Sequence, residues 1–317
     1  MRRIIEIAEN HRHLRAEHGF LVIEDRSQDS VELGRVPFGD IEAVITTGNG
    51  ITYSNTALVR LVQNGSPLVL SDNAFQVQGI LMSVESNSLQ AHRFEHQISA
   101  SKPTNKRAWA QLVRAKILQQ ASVLEAVGHS PKVLEALASK VTSGDKTNVE
   151  AQAARKYWRA LFGPQFRRER FGAPPNGFLN YGYTILRAAT IRSILASGLH
   201  PSIGVSHSND ANAFRLADDL IEPFRPFIDL QVWELYTAGL VELDTQSKTK
   251  LVEVLAHDLR TTNGVSPLGV CIQKLAMSLV NVYLGERTTL SIPPPQISQE
   301  VEAPSPATSP GQSDPFA

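Results

Sequence analysis

From Met1 to about Val84 apolar and polar residues alternate in short runs: RIIEI, HLRAE, FLVIED, ELGRVPF, IEAVITT, PLVLSD and VQGILMSV. A period of two marks strands with one buried face. His18-Gly19 supplies a turn between the second and third runs. One helix interrupts them: Ser54 is placed to cap a run through Ala57, Leu58, Leu61 and Val62, which Gly65 ends. The expected product is a small, sandwich-like β domain over residues 1–84 with one helix.

Beyond Ser83 to Ser88 the period becomes helical and stays so, which places a linker at 85–92 and an all-helical domain over 93–287. After Pro103, positions Trp109, Leu112, Val113, Lys116, Ile117 and Gln120 recur at helical spacing, while the other face carries Lys106, Arg107 and Arg114. Pro131 opens a further helix, Gly144-Asp145 closes that segment, and Asn148 caps a helix holding Glu150, Tyr157 and Trp158. A longer helix is expected from about Leu179 to Ser197, ended by Gly198. Two more follow, over Ser247 to Asp258 and Leu268 to Leu284. From Pro293 onward the chain turns to Pro, Ser, Gln and Glu, a composition that buries too little apolar surface to order itself, and the tail is taken to run from about Thr288 to Ala317. A dispensable, unstructured tail is the expectation. The fold class is therefore α+β: a β domain, then a helical domain.

Composition adds little, but charge distribution adds more. The chain has 31 basic and 31 acidic residues, yet residues 151–200 hold eight Arg or Lys against the single acid Glu169, and residues 201–260 hold ten acids against five bases. Basic surface beside an acidic pocket suits a phosphate backbone approaching a cation site. Cys271 is the only cysteine, so neither a disulfide framework nor a thiolate cluster is available. No run approaches the roughly 20 apolar residues of a membrane span, and an intracellular, cytoplasmic protein is expected. There is no G-x-x-x-x-G-K-[ST] phosphate loop, no third glycine after Gly48-Asn49-Gly50, no nucleophile elbow at Gly204-Val205-Ser206, and no internal repeat.

Candidate chemistry concentrates between Ser206 and Asp229, SHSNDANAFRLADDLIEPFRPFID. If Leu216 to Phe224 is helical, Asp218 and Glu222 share a face and Leu216, Leu220 and Phe224 share another. Pro223 and Pro226 predict a kink beside Glu222. His207 lies upstream in a turn-rich loop. These residues fit a solvated helix with a loop histidine as well as a cation site. Glu150 in a first helical turn fits a dipole role just as well. His11, His13 and His18 have no ligand partners at matching spacing and read as solvated strand residues.

Six features stand out along the chain: Arg93 with Gln97, KRAWAQLVRAKILQQAS, GDKTNVEAQAARKYW, LFGPQFRR, LNYGYTILRA and LADDLIEPFRPFID, which with the β pattern reach from near Met1 to about Gly285. Together they resemble the CRISPR-associated integrases of the Cas1 family, in the form found beside a single-protein RNA-guided effector. The resemblance implies Glu150, His207 and Glu222 as catalytic metal ligands for Mg²⁺ or Mn²⁺. Asp218 stands as a further acid ahead of Asp219, and Arg107, Arg159 and Arg168 as contacts to the DNA backbone. Relatives often carry paired histidines, whereas Ser208 follows His207 here. The implied activity is attack of a captured spacer's 3′-hydroxyl on phosphodiesters of the CRISPR repeat, without a membrane. The implied partners are DNA, a second copy in a homodimer, the small protein Cas2 bridging two dimers, and a possible role for the effector nuclease. A DNA-binding assembly subunit with the same fold and no catalysis is the alternative. Four acids crowded at such a site would repel one another, so Glu222→Gln is expected to raise or preserve stability without metal.

Overall fold

The computed structural model describes residues 3–27, 30–72, 77–83, 87–169, 171–206, 212–262 and 264–297. Strands β1 (Arg3–Ile7), β2 (Arg12–Glu17), β3 (Phe20–Asp25), β4 (Val31–Pro37), β5 (Ile41–Thr46), β6 (Thr52–Tyr53), β7 (Leu68–Ser71) and β8 (Val77–Leu81) form two four-stranded sheets. One runs β1-β5-β7-β8 and the other β4-β3-β2-β6. Helix α1 (Asn55–Gln63) follows β6, with the Ser54 hydroxyl accepting the Ala57 amide. His18 and Gly19 both take positive φ in the β2–β3 turn, where glycine carries no steric penalty. Ile7, Leu14, Leu21, Phe38, Ile41, Val44, Ala57, Leu61 and Leu68 meet as one core. The sheet order was not legible in the sequence, because β1 pairs in parallel with β5 and β5 with β7.

Helices α2 (Gln90–Ile98), α3 (Lys102–Ala126), α4 (Lys132–Ala138), α5 (Val149–Phe162), α6 (Asn176–Ala196), α7 (Arg215–Leu220), α8 (Arg225–Thr237), α9 (Thr245–Glu253) and α10 (Leu268–Tyr283) build the second part. Helix α2 starts inside the stretch expected to link the two parts. A 3₁₀ turn, Glu222–Phe224, joins α7 to α8 where Pro223 removes an amide donor. Helix α6 is buried almost all round and is the axis of the domain. Gly182 lets it lie against α8, since a Cβ there would fall 2.4 Å from Ile228 Cγ2. The β part is pinned to this domain by Glu6, which accepts from Tyr181 at 2.9 Å and Lys248 at 2.8 Å, and by Glu42 with Arg192 at 2.7 Å.

Two expectations are corrected. The second part is not all helical: α9 ends at Glu253, and β9 (Asp258–Thr261) pairs with β10 (Gly264–Pro267) as a hairpin. The Asn263-Gly264 dipeptide is the local signal for it. Nor does order end at Thr288. Gln111 donates to the Thr288 carbonyl and accepts the Leu290 amide, Leu290 is buried, and Gln296 bridges Gln119 of α3 to both backbone groups of Arg260. Residues 288–297 are held by side-chain amides reaching from distant helices, which composition does not report. Residues 298–317 lie outside the described residues. Truncation after Ile297 is expected to leave thermal stability unchanged. Truncation before Thr288 should cost roughly 2–5 kcal/mol, because it removes Leu290, Ile292 and Ile297 and exposes the core surface they pack against, measured by denaturant unfolding.

Among the described residues no helix is long and apolar enough to cross a membrane.

Candidate active site

The site begins with two devices that aim Glu150. Asn148, at φ 51°, accepts the Ala151 amide through its side chain, and Asp145 accepts the amides of Val149 and Glu150 at 2.9 and 3.0 Å. The first turn of α5 is thereby fixed from both sides. Glu222 sits at the start of the 3₁₀ turn and is 3% exposed. These two carboxylates, 72 positions apart along the chain, converge on one nitrogen. Lys116 Nζ lies 2.6 Å from Glu150 Oε1 and 2.5 Å from Glu222 Oε2. Arg225 Nε stands 3.3 Å from the other Glu222 oxygen. Burial alone would lower the Lys116 pKa, but Glu222 and then Glu150 outweigh it and hold it raised. The acids are therefore not an uncompensated crowd. The sequence placed Lys116 within the apolar stripe of α3, and a lysine in that register was the available signal that it is buried beside negative charge.

His207 lies outside the described residues, as does Ser208. The chain leading to it is described and firmly held. Gln97 donates to the carbonyls of His200 and Ile203 and accepts the His200 amide at 2.8 Å, while Arg93 donates to Ser197 at 3.0 Å. Asp219, fully buried, accepts the amides of Val205 at 2.6 Å and Ser206 at 3.1 Å. Asp218 does not join Glu222. Arg187 on α6 forks onto it at 2.7 and 2.5 Å, and Asn212 donates to it at 2.7 Å. Asp218 is thus paired with a different cation from the one that bridges Glu150 and Glu222, although the charge of Arg225 is felt by both Asp218 and Glu222. Among the described residues no three His, Cys, Asp or Glu side chains gather as a metal cluster.

Behind Glu222 lies a polar cluster that sequence reasoning missed. Asp229 accepts from the hydroxyls of Tyr157, at 3.0 Å, and Tyr183. The Tyr183 ring is flanked by the guanidinium carbons of Arg225 and Arg168, 4.7 and 5.3 Å from its centroid. Burial pushes the Asp229 carboxyl up to about 7, against the hydrogen bonds of Tyr183 and Tyr157 and the charge of Arg225. The folded state then holds a proton that the unfolded chain releases near pH 4, so this contribution to stability is full below about pH 4 and is lost as pH rises to about 7. Asp229→Asn should flatten that part of the profile, measured by thermal unfolding between pH 4 and 8.

The basic residues divide. Arg107, Arg155, Lys156, Arg159 and Arg167 are exposed. Arg168 is half-buried and donates to Asn176 and Asn180, and Arg114 donates to the carbonyls of Ala138 and Val141. Both are occupied by the fold. A cleft of about 1160 Å³ between β1 and helices α6, α9 and α10 contains none of the Glu150, Lys116 and Glu222 site.

A strand-rich module set on a helical domain, with two carboxylates brought to one buried cation from α5 and from the 3₁₀ turn before α8, defines an α+β protein built around an acidic centre. The family model described as CRISPR associated protein Cas1 matches residues 5–262, and the chain belongs to this family of CRISPR-associated endonucleases. It is 37% identical over 236 residues to CRISPR-associated endonuclease Cas1 of Neisseria meningitidis serogroup C, covering 73% of this chain and 77% of that protein. In fold it is similar to a casposase bound to integration product, with TM-score 0.78 at 19% identity over 95% of each chain. It is also similar to a chain of a Cas6-RT-Cas1–Cas2 complex, with TM-score 0.74 at 18% identity over 92% of this chain and 36% of that one.

Proposed function

We propose that this chain is the integrase of CRISPR adaptation, joining the 3′ end of a short captured DNA to a phosphodiester of the CRISPR repeat. The observation that carries the reading is the meeting of Glu150 and Glu222 on one cationic nitrogen. A pocket that already seats a cation between two carboxylate oxygens, with no thiolate nearby, fits a hard divalent ion, Mg²⁺ or Mn²⁺. Glu150, Glu222 and His207 would hold it. Such an ion lowers the pKa of an attacking hydroxyl and stabilises charge on the phosphodiester. The protein's part is to keep the carboxylates at one point through Asp145, Asn148 and the 3₁₀ turn, and to present the exposed arginines of α5 to the DNA backbone. The attacking 3′-oxygen forms one phosphodiester bond as another breaks, and the displaced 3′-hydroxyl leaves. The bond count is unchanged, so no ATP is needed, consistent with the missing phosphate loop.

DNA is the substrate in this reading, and the casposase and Cas1–Cas2 likenesses support integration and a Cas2 partner, with a homodimer as the unit that Cas2 bridges. The test is strand transfer of a short duplex with free 3′ ends into a repeat-bearing duplex. Joining should require a divalent ion, stop on chelation and decline as salt rises. DNA binding without joining in any divalent ion would return the chain to the role of assembly subunit.

A further inference from the structure

We infer that Lys116 is a resident counter-cation of the carboxylate pair, and that a divalent ion enters only by displacing its ammonium. The inference rests on the metal reading above. It starts from geometry: one nitrogen lies within 2.6 Å of an oxygen from each acid. A second cation cannot share that position, because the ammonium fills the point on which both oxygens converge. The lysine is 8% exposed and reaches in from α3, whereas the acids come from α5 and the turn before α8. It therefore ties three elements together before any ion arrives. Arg225 stands 3.3 Å from the other Glu222 oxygen, a second cation on this acid that does not depend on the lysine.

Two consequences distinguish a competitor from a supporting charge. Removing a competing cation tightens divalent binding, since the ion no longer has to displace a bound ammonium from the point where the two carboxylates meet. Removing a supporting structural cation weakens binding or leaves it unchanged, because the acids lose their alignment. The flexible four-carbon stem of lysine allows displacement without movement of α3.

The test is Mn²⁺ titration of the full chain by calorimetry, without DNA. Lys116→Met should bind Mn²⁺ at least tenfold more tightly than wild type, with a larger rise of melting temperature on Mn²⁺ addition, and Lys116→Arg should stay within about threefold of wild type. Wild type that binds Mn²⁺ while Lys116→Met binds equally or more weakly overturns the inference and leaves the metal reading intact. Failure of both proteins to bind sinks the metal reading and the inference with it. Should Lys116→Met not fold, amine labelling of the wild type decides the matter by mass spectrometry, with exposed Lys132 as internal reference. Labelling of Lys116 should rise severalfold when saturating Mn²⁺ is added at fixed pH, and unchanged or reduced labelling overturns displacement.

Discussion

Glu222→Gln is expected to reduce strand transfer by on the order of a thousandfold or more and, in metal-free protein, to lower stability by roughly 1–3 kcal/mol. The sign of the second effect reverses the one drawn from the crowding of acids in the sequence. That argument counted carboxylates and had no cation to set against them. The structure supplies two, Lys116 at 2.5 Å and Arg225 at 3.3 Å from Glu222, so neutralising the acid leaves buried positive charge with less to balance it. Glu150→Gln should lose as much activity but less stability, because the Glu150 side chain is 24% exposed against 4% for Glu222 and water can compensate the change. Denaturant unfolding in chelator, run beside strand transfer on a repeat-bearing duplex, measures both. A glutamine variant at Glu222 more stable than wild type without metal would show that Lys116 does not balance it.

Asp219→Ala should be nearly as damaging by a different route. Its carboxylate is fully inside the protein and takes the amides of Val205 and Ser206. Alanine leaves those two donors without this acceptor, at a cost of roughly 2–4 kcal/mol. It also releases the segment that delivers the chain to His207. Strand transfer is expected to fall at least a hundredfold, more than the loss of folded protein explains, once activity is normalised to the folded fraction. Asp219→Asn keeps one acceptor oxygen in place and should recover part of both losses. If Asp219 were a ligand instead of an anchor, the asparagine variant would be as inactive as alanine and would bind Mn²⁺ as poorly, which calorimetry distinguishes.

The features legible in the sequence are those decided within a few residues. Ser54 and Asn148 cap helices because a side-chain oxygen reaches an amide three positions on, Gly198 ends α6 with φ 67° because it lacks a Cβ, and Pro223 breaks the helix beside Glu222 because it lacks an amide hydrogen. Alternation and helical period separated the strand-rich part from the helical one for the same reason. The family motifs singled out Glu150 and Glu222, and the fold brings them together. Tertiary structure alone decided what each charge faces. Asp218 and Glu222 are neighbours in sequence, yet one belongs to Arg187 and the other to Lys116. Thr288 to Ile297 have an unpromising composition and are nonetheless held by Gln111 and Gln119, the latter 177 positions from its partner Gln296. Pairings across such separations depend on which surfaces the whole chain brings into contact. Local propensity carries no information about them, and the partner of a buried charge is set by that contact.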